Sequence, residues 1–176
     1  SGGGVTLSGG EVLMQAPFAT RFLQRLRRLG IQCAIETAGD APASRLLPLA
    51  KACDEVLFDL KIMDAVQARE VVNMNLPRVL ENLRLLVSEG IHVIPRLPLI
   101  PGFTMNVENT QQALTLLSSL GIKQVHLLPF HQYGEPKYNL LGLPWSMKEV
   151  PVPSAQEIGF IRKMAECAGF QVTVGG

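Results

Sequence analysis

The chain has 176 residues, 47% of them hydrophobic, which is enough to bury the core of a single domain. Its net charge of +1 provides no general attraction for nucleic acid or for an anionic membrane, so we expect neither as a partner. No apolar run reaches the roughly 20 residues that a membrane-spanning helix needs, and we expect a cytoplasmic protein.

Strand-like and helix-like segments alternate along the chain. A short apolar run predicts the first strand at residues 5–8, and Phe18, Phe22 and Leu26 recur at helical spacing within a helix predicted at 17–29. The later pairs of strand and helix are predicted at 32–36 and 43–52, 55–61 and 76–89, 92–98 and 107–120, and 124–131 and 154–168. A last short strand is predicted at 171–174.

Predicted helices repeatedly end in a glycine followed at once by an apolar strand, as in the Leu-Gly-Ile of residues 29–31 and 120–122. Parallel strands need a crossover helix between them, so this alternation indicates an α/β fold. An open doubly wound sheet and a barrel both fit, but the glycine pattern of a dinucleotide-binding sheet is missing. We therefore predict an incomplete TIM-like (βα) barrel with parallel strands, about five βα units and a last short strand. Residues 1–176 are expected to form a single domain.

The cysteines indicate reduced thiols. Cys33, Cys53 and Cys167 are odd in number and widely spaced, which does not suit a disulfide framework. They also match no close metal-ligand spacing. We expect each of them to be a small buried hydrophobic residue.

Polar and charged side chains stand where the predicted strands end, and this is the side of a parallel α/β fold that binds ligands. These residues include Glu11, Glu36, Asp59, Lys61, Arg96 and His131. Three carboxylates beside three basic groups suit a zwitterionic ligand better than a phosphorylated one. Taken singly, each residue is explained as well by a structural role, as a solvated strand end or a salt-bridge partner, as by ligand binding; as a set at equivalent strand ends, they predict a functional site.

Residues 8–11, Ser-Gly-Gly-Glu, allow two interpretations. They form a tight turn before a helix, with Gly9 and Gly10 supplying backbone freedom. Alternatively, a ligand lies against the bare backbone and Glu11 accepts a hydrogen bond from its ammonium group. The local sequence leaves both open.

Five segments together resemble a known family. They are VTLSGGE, IETAG, FDLKIMD, PRLPLIPGFT and LLPFHQYGEPKYNLLG, in this order. In order and content they are similar to the radical S-adenosylmethionine enzymes that activate glycyl radical enzymes, the pyruvate formate-lyase activating enzyme family. The resemblance covers residues 5–174. It implies a protein that reductively cleaves S-adenosylmethionine and forms a glycyl radical on a partner enzyme, with flavodoxin or a ferredoxin-type protein as reductant.

The resemblance also implies which residues bind the cofactor. Gly9, Gly10 and Glu11 match the family's GGE motif, which binds the methionine ammonium of S-adenosylmethionine. Lys61 matches a lysine that contacts the cofactor, and His131 matches a histidine near its nucleoside end.

Further matching positions lie on the central strands. Glu36 and Thr37 match an acid-threonine pair that contacts the cofactor, and Asp59 matches the aspartate of the family's DLK motif. Together with the cofactor carboxylate, Glu36 and Asp59 are implied to hold a monovalent cation. Arg96 stands where the family places a barrel arginine at the cofactor.

The chain departs from the family in several places. The cysteine motif C-x3-C-x2-C, which holds a [4Fe–4S] cluster, is absent, so we expect the cluster only in a longer protein of which residues 1–176 are the carboxy-terminal part of a partial barrel. The fragment itself is then inactive. Glu36 replaces the more usual aspartate, so the cation site is expected to be altered or empty. Gln67, Val71 and Val72 stand where many members have an H-x3-T-G motif.

Two other functions remain open at this point. One is a barrel lyase or aldolase that uses Lys61 as a Schiff-base nucleophile, with Asp59 and Glu36 as acid and base. The other is a non-catalytic module that docks on a glycyl radical enzyme. Residues 132–153 lack clear periodicity and are expected to be either a partner-binding loop or a loop packed on its own barrel.

Overall fold

The computed structural model describes residues 3–175. The strands are β1 Val5–Leu7, β2 Cys33–Thr37, β3 Glu55–Asp59, β4 Val93–Leu99, β5 Gln124–Pro129 and β6 Gln171–Val174. The helices are α1 Ala16–Arg28, α2 Ala43–Lys51, α3 Ala65–Val72, α4 Leu76–Ser88, α5 Val107–Ser119, α6 Glu135–Leu140 and α7 Ala155–Cys167. The strands form one sheet in chain order, and the pairs β1–β2, β2–β3, β3–β4 and β5–β6 are parallel. The predicted α/β fold is confirmed.

The chain folds into two compact units, one up to Arg96 and the other from Leu97 onward. Strand β4 contributes to both. The single domain expected from the sequence stays a prediction.

The first unit builds its core from the inner faces of helices α1 to α4 and from alternating strand positions. Ile35 of β2 and Val56 and Phe58 of β3 are fully buried, as are Leu23 of α1 and Leu83 of α4. Burial alternates along β2 and β3, so every second side chain of these strands is left at least partly accessible. Glu36 and Asp59 lie at such positions, which gives these carboxylates access to a ligand.

The second unit contains the end of β4, helices α5 to α7, β5 and β6. Its core includes Leu99, Leu117, Val125 and Leu127. Helix α7 begins at a capping box, in which Ser154 and Glu157 each bond to the backbone of the other. None of the helices within residues 3–175 combines the length and the hydrophobicity that a membrane span requires.

The structure confirms the order of predicted elements and corrects several details. Helix α3 was not expected; it follows Asp64, whose side chain caps it by accepting a hydrogen bond from the Gln67 N–H, and Asn73 caps its other end in the left-handed conformation. Cys33 and Cys53 are buried as predicted, but the same prediction for Cys167 is wrong, because it lies exposed at the end of α7. Residues 132–153 are not structureless, since they contain a 3-10 turn and helix α6.

Candidate functional site

Gly9 and Gly10 form the turn that follows β1. Their φ angles are 87° and 57°, a left-handed conformation that only glycine adopts without strain. A Cβ atom on either residue would meet no heavy atom within 4 Å. Backbone conformation therefore accounts for both glycines, and the space beside them is open to a ligand.

Glu11 joins the end of β1 to the end of β2. Its carboxylate accepts hydrogen bonds from the Leu13 N–H at 3.1 Å, from the Thr37 hydroxyl at 2.7 Å and from the Ala38 N–H at 3.1 Å. The first bond caps the 3-10 turn Val12–Gln15. A carboxylate has about four acceptor positions, so these bonds leave room for one more donor.

Asn82 of helix α4 stabilises the loop that follows β2. The buried Asn82 amide donates to the carbonyl oxygens of Gly39 at 2.7 Å and of Ala41 at 2.8 Å. The Gly39 N–H in turn donates to the Thr37 hydroxyl oxygen at 2.9 Å. Asn82, Gly39, Thr37 and Glu11 are thus linked in series. Sequence analysis missed Asn82, although an amide on the apolar face of a predicted helix was a usable signal.

Arg96 lies between two carboxylates, and we call Glu36, Asp59 and Arg96 the carboxylate–arginine cluster. The Arg96 Nη1 atom is 2.9 Å from Glu36 Oε1, and its Nε atom is 2.8 Å from Asp59 Oδ1. Only 9% of the Arg96 side chain is exposed. The second oxygen of Glu36 accepts a hydrogen bond from the Ser8 hydroxyl, so β1 also takes part.

The two carboxylates of the cluster have pKa values shifted in opposite directions. Burial alone acts to raise the pKa of Glu36, but hydrogen bonds from Arg96 and Ser8 outweigh it and lower that pKa. Burial is stronger at Asp59 and raises its pKa, although Arg96 and the charge of Lys61 act in the other direction. Burial also disfavours charge on Arg96, but its two carboxylate partners raise its pKa. The cluster holds its arginine firmly charged.

His131 lies in the second unit, two residues after β5. Its Nδ1 atom accepts a hydrogen bond from the Tyr133 N–H at 3.3 Å, and its ring lies 4.3 Å from the Tyr133 ring. An Nδ1 atom that accepts leaves the proton of a neutral imidazole on Nε2. The His131 ring therefore presents an Nε2–H donor.

The segment after His131 packs on itself. The Gln132 amide donates to the carbonyl oxygens of Met147 at 3.0 Å and of Val150 at 2.9 Å, and its oxygen accepts from the Trp145 indole. The Trp145 ring also contacts Tyr138. The exposed side chains of this segment include Tyr133, Leu140, Leu141 and Leu143.

Comparison with known proteins identifies the family. The model of the Radical SAM superfamily matches residues 2–128. The chain belongs to the Radical SAM superfamily.

Two curated relatives extend over the whole chain. It is 79% identical over 176 residues to the pyruvate formate-lyase 2-activating enzyme of Escherichia coli (strain K12), covering 60% of that protein. It is 32% identical over 179 residues to the trans-4-hydroxy-L-proline dehydratase activating enzyme of Clostridioides difficile, covering 59% of it. The chain therefore spans about 60% of the length of these relatives.

A solved structure has the same extent and fold. It is a domain of the pyruvate-formate lyase-activating enzyme from Bacteroides vulgatus ATCC 8482, with a TM-score of 0.81 and 26% identity, and the match covers 99% of both chains. Together with the parallel sheet, this likeness confirms the predicted partial barrel.

Membership of the Radical SAM superfamily implies S-adenosylmethionine and a [4Fe–4S] cluster as cofactors. The cysteines described here do not fit the cluster. Cluster ligands are thiolates, yet burial raises the pKa of Cys33 and raises that of Cys53 to about 12. Within residues 3–175, no three His, Cys, Asp or Glu side chains are grouped to hold a metal ion.

S-adenosylmethionine fits the first unit better. Its amino acid part carries an ammonium and a carboxylate, and the strand ends offer a carboxylate with a remaining acceptor position, Glu11, beside the open turn at Gly9 and Gly10. Two basic groups lie nearby in the sheet order: Lys61 follows β3, and Arg96 lies on β4. This radical SAM chain thus has donors and acceptors of both signs where the fold binds ligands.

Proposed function

We propose that the chain is the S-adenosylmethionine-binding part of a glycyl radical enzyme activating enzyme. The observation that carries this proposal is the 79% identity to the pyruvate formate-lyase 2-activating enzyme along the whole chain. With S-adenosylmethionine and the cluster bound, the longer protein gains the one-electron chemistry that removes a hydrogen atom from a glycine of the partner. The partner is a glycyl radical enzyme, and flavodoxin or a ferredoxin-type protein is the reductant.

The chain's own residues bind and orient the cofactor in this proposal. Gly10 and Glu11 receive the methionine ammonium, because Glu11 retains an acceptor position toward the open turn. Lys61 and Arg96 supply positive charge for the carboxylate. The role of His131 at the nucleoside stays a prediction from the resemblance; within the second unit its Nδ1 accepts from the Tyr133 N–H, which leaves an Nε2–H donor.

The cluster cysteines belong to another part of the longer protein in this proposal. Support comes from the two buried thiols with raised pKa values and from the share of the relatives' length that this chain does not span. Sequencing the rest of the gene tests it. We expect a C-x3-C-x2-C motif there, and a gene without that motif would contradict the activating function.

Binding to the chain itself is the direct test of its cofactor role. Titration calorimetry should detect S-adenosylmethionine binding to the 176-residue chain, and Lys61→Met should weaken it by about 1–3 kcal/mol, the usual loss for a charge-assisted hydrogen bond. Lys148→Met removes an exposed lysine from the second unit and should leave affinity unchanged. Equal affinities for all three proteins would remove Lys61 from the site.

Activity requires the longer protein with its cluster reconstituted under anaerobic conditions. Mixed with a reductant, S-adenosylmethionine and a pyruvate formate-lyase-like partner, it should produce a glycyl radical signal in electron paramagnetic resonance. The Lys61→Met variant should lower the rate and Lys148→Met should not. Cofactor cleavage without a radical on any glycyl radical enzyme tested would overturn the activating function while leaving cofactor binding in place.

A further inference from the structure

The carboxylate–arginine cluster has a geometry that follows from the strand register. Asp59 of β3 is paired directly with Arg96 of β4, whereas Glu36 of β2 is paired with Leu57, two positions before Asp59. Side chains two positions apart on a strand lie on the same face of the sheet. Glu36 therefore approaches Arg96 diagonally, and its side chain must be long enough to reach Nη1.

The length of Glu36 decides whether that contact forms. An aspartate at this position would be shorter by one C–C bond of about 1.5 Å, and the 2.9 Å contact with Nη1 would open beyond hydrogen-bonding distance. Arg96 would then keep Asp59 alone, and the carboxylate on β2 would lack its cationic partner. The glutamate thus allows one guanidinium to serve both carboxylates.

Hydrogen-bond donors already approach most of the carboxylate oxygens that a monovalent metal ion would need. Glu36 accepts from Arg96 on one oxygen and from Ser8 on the other, and Asp59 accepts from Arg96 on Oδ1, so three of the four oxygens already face a donor. A metal ion between these carboxylates would also be repelled by the positive charge of the guanidinium. The nearly buried guanidinium already occupies the space between the carboxylates.

We propose that Arg96 is the resident cation of this site and holds Glu36 and Asp59 in place of a monovalent metal ion. Stability of the first unit, and ligand binding at these strand ends, are then independent of K⁺ and Na⁺. The statement about ligand binding rests on the proposed S-adenosylmethionine function, whereas the statement about stability does not.

The test compares thermal unfolding of the 176-residue chain in KCl, NaCl and tetramethylammonium chloride. All three salts are used at about 0.1 M, so that screening is equal and only the nature of the cation changes. We expect the same unfolding midpoint in each salt for the unsubstituted chain. A higher midpoint in KCl or NaCl than in tetramethylammonium chloride would overturn the proposal.

Two variants test whether the protein needs a metal ion once the contact between the guanidinium and the carboxylates is lost. Arg96→Gln leaves the carboxylates without their cation, and Glu36→Asp withdraws one carboxylate from it while Arg96 stays. Both should gain a midpoint that rises in K⁺ or Na⁺ relative to tetramethylammonium. If neither variant that folds gains this dependence, Arg96 does not substitute for an ion. Arg78→Gln is the matched control, because it breaks the ion pair between Arg78 and Asp40 and should lower the midpoint equally in all salts.

S-adenosylmethionine titrations in the same salts separate the two proposals. The unsubstituted chain should bind equally in every salt, and Glu36→Asp should bind about tenfold more tightly in K⁺ than in tetramethylammonium, a difference of about 1.4 kcal/mol. Absence of binding in every salt contradicts the cofactor proposal alone, because the unfolding midpoints still decide the role of Arg96. Tighter binding to the unsubstituted chain in K⁺ contradicts the resident cation.

Discussion

The Thr37 hydroxyl donates a hydrogen bond of 2.7 Å to the Glu11 carboxylate and accepts one of 2.9 Å from the Gly39 N–H. One buried side chain thereby connects the ends of β1 and β2 to the loop that follows β2. The turn at the end of β1 keeps its position through this hydroxyl as well as through its own glycines.

Replacing that hydroxyl should destabilise the protein. Thr37→Val preserves shape but leaves the Gly39 N–H without its acceptor, at a cost of about 1–3 kcal/mol in the free energy of unfolding. Urea denaturation measures this. Thr115→Val removes an exposed hydroxyl that donates to the Gln111 carbonyl one helical turn earlier, and it should change stability by less than about 0.5 kcal/mol. Equal losses for both variants would contradict the connecting role of Thr37.

Two glycines with similar backbone angles should respond differently to alanine. Gly10 has a φ of 57° and faces open space, so Gly10→Ala should cost only the strain of the left-handed conformation, about 1–2 kcal/mol. Gly39 has a φ of 69°, and a Cβ there would overlap the ring of Phe58, which adds about 1–3 kcal/mol of overpacking. Urea denaturation should give a lower free energy of unfolding for Gly39→Ala than for Gly10→Ala. The reverse order would contradict the contact predicted between the added methyl group and Phe58.

Gly10→Ala also tests whether a ligand uses the open space. The added methyl group points into the volume proposed for the methionine end of the cofactor. Gly10→Ala should therefore lose more free energy of S-adenosylmethionine binding than free energy of unfolding. Gly142→Ala is a control, since Gly142 also has a positive φ and open surroundings but lies in the second unit. Unchanged affinity in Gly10→Ala would move the ligand away from the turn.

Glu36 and Asp59 should affect stability with opposite dependence on pH. The pKa of Glu36 is lowered in the fold, so ionised Glu36 stabilises the protein above its unfolded-state pKa, and this contribution is lost as pH falls through the folded-state value. Glu36→Gln should therefore destabilise the protein near pH 7 and have a smaller effect below about pH 4. Urea denaturation across this range measures the change, with exposed Glu149→Gln as control.

Asp59 should change stability with pH in the opposite direction to Glu36. Its pKa is raised, so stability present below the unfolded-state pKa of about 4 is lost as pH rises through the folded-state value. Asp59→Asn keeps an oxygen that accepts from the Arg96 Nε–H and cannot ionise. Its stability relative to the unsubstituted chain should therefore increase from about pH 4 to pH 7. A relative stability that falls over this interval would show that Asp59 is favoured as a carboxylate.

The three thiols should differ in their rates of alkylation. Cys167 is exposed and should react fast at neutral pH, whereas Cys33 and Cys53 are buried and have raised pKa values, that of Cys53 about 12. Mass spectrometry should find one fast site in the native protein and none after Cys167→Ser. Fast labelling of Cys53 in the native protein would contradict its burial.

The alternation of strands and helices was predictable because it depends on local signals. Gly30, Gly90, Gly121 and Gly169 follow helices and have positive φ, as expected of helix-ending glycines. Helix α3 was missed because it is short and shows only one buried residue, Ala68, so it has no clear apolar period. Its signals are the caps at its ends rather than a pattern along it.

The identity of the strand-end residues was also predictable, but their partners were not. Sequence places Glu36 and Asp59 at strand ends, yet only the register shows that Glu36 lies opposite Leu57 and reaches Arg96 diagonally. Which side of α7 is covered is likewise decided by packing, and for this reason the burial predicted for Cys167 was wrong. Pairwise contacts between distant elements depend on tertiary geometry that no local pattern contains.

Asn82 lies on helix α4, and its amide donates hydrogen bonds to two carbonyl oxygens of the loop that follows Thr37. Tolerance to substitution in this protein should therefore depend on whether a residue belongs to this series of hydrogen bonds, rather than on its distance from a bound ligand. An amide that no ligand touches becomes as restrictive a position as the carboxylate at the other end of the series, Glu11. Variant libraries that spare only ligand-contacting positions would lose function through this helix.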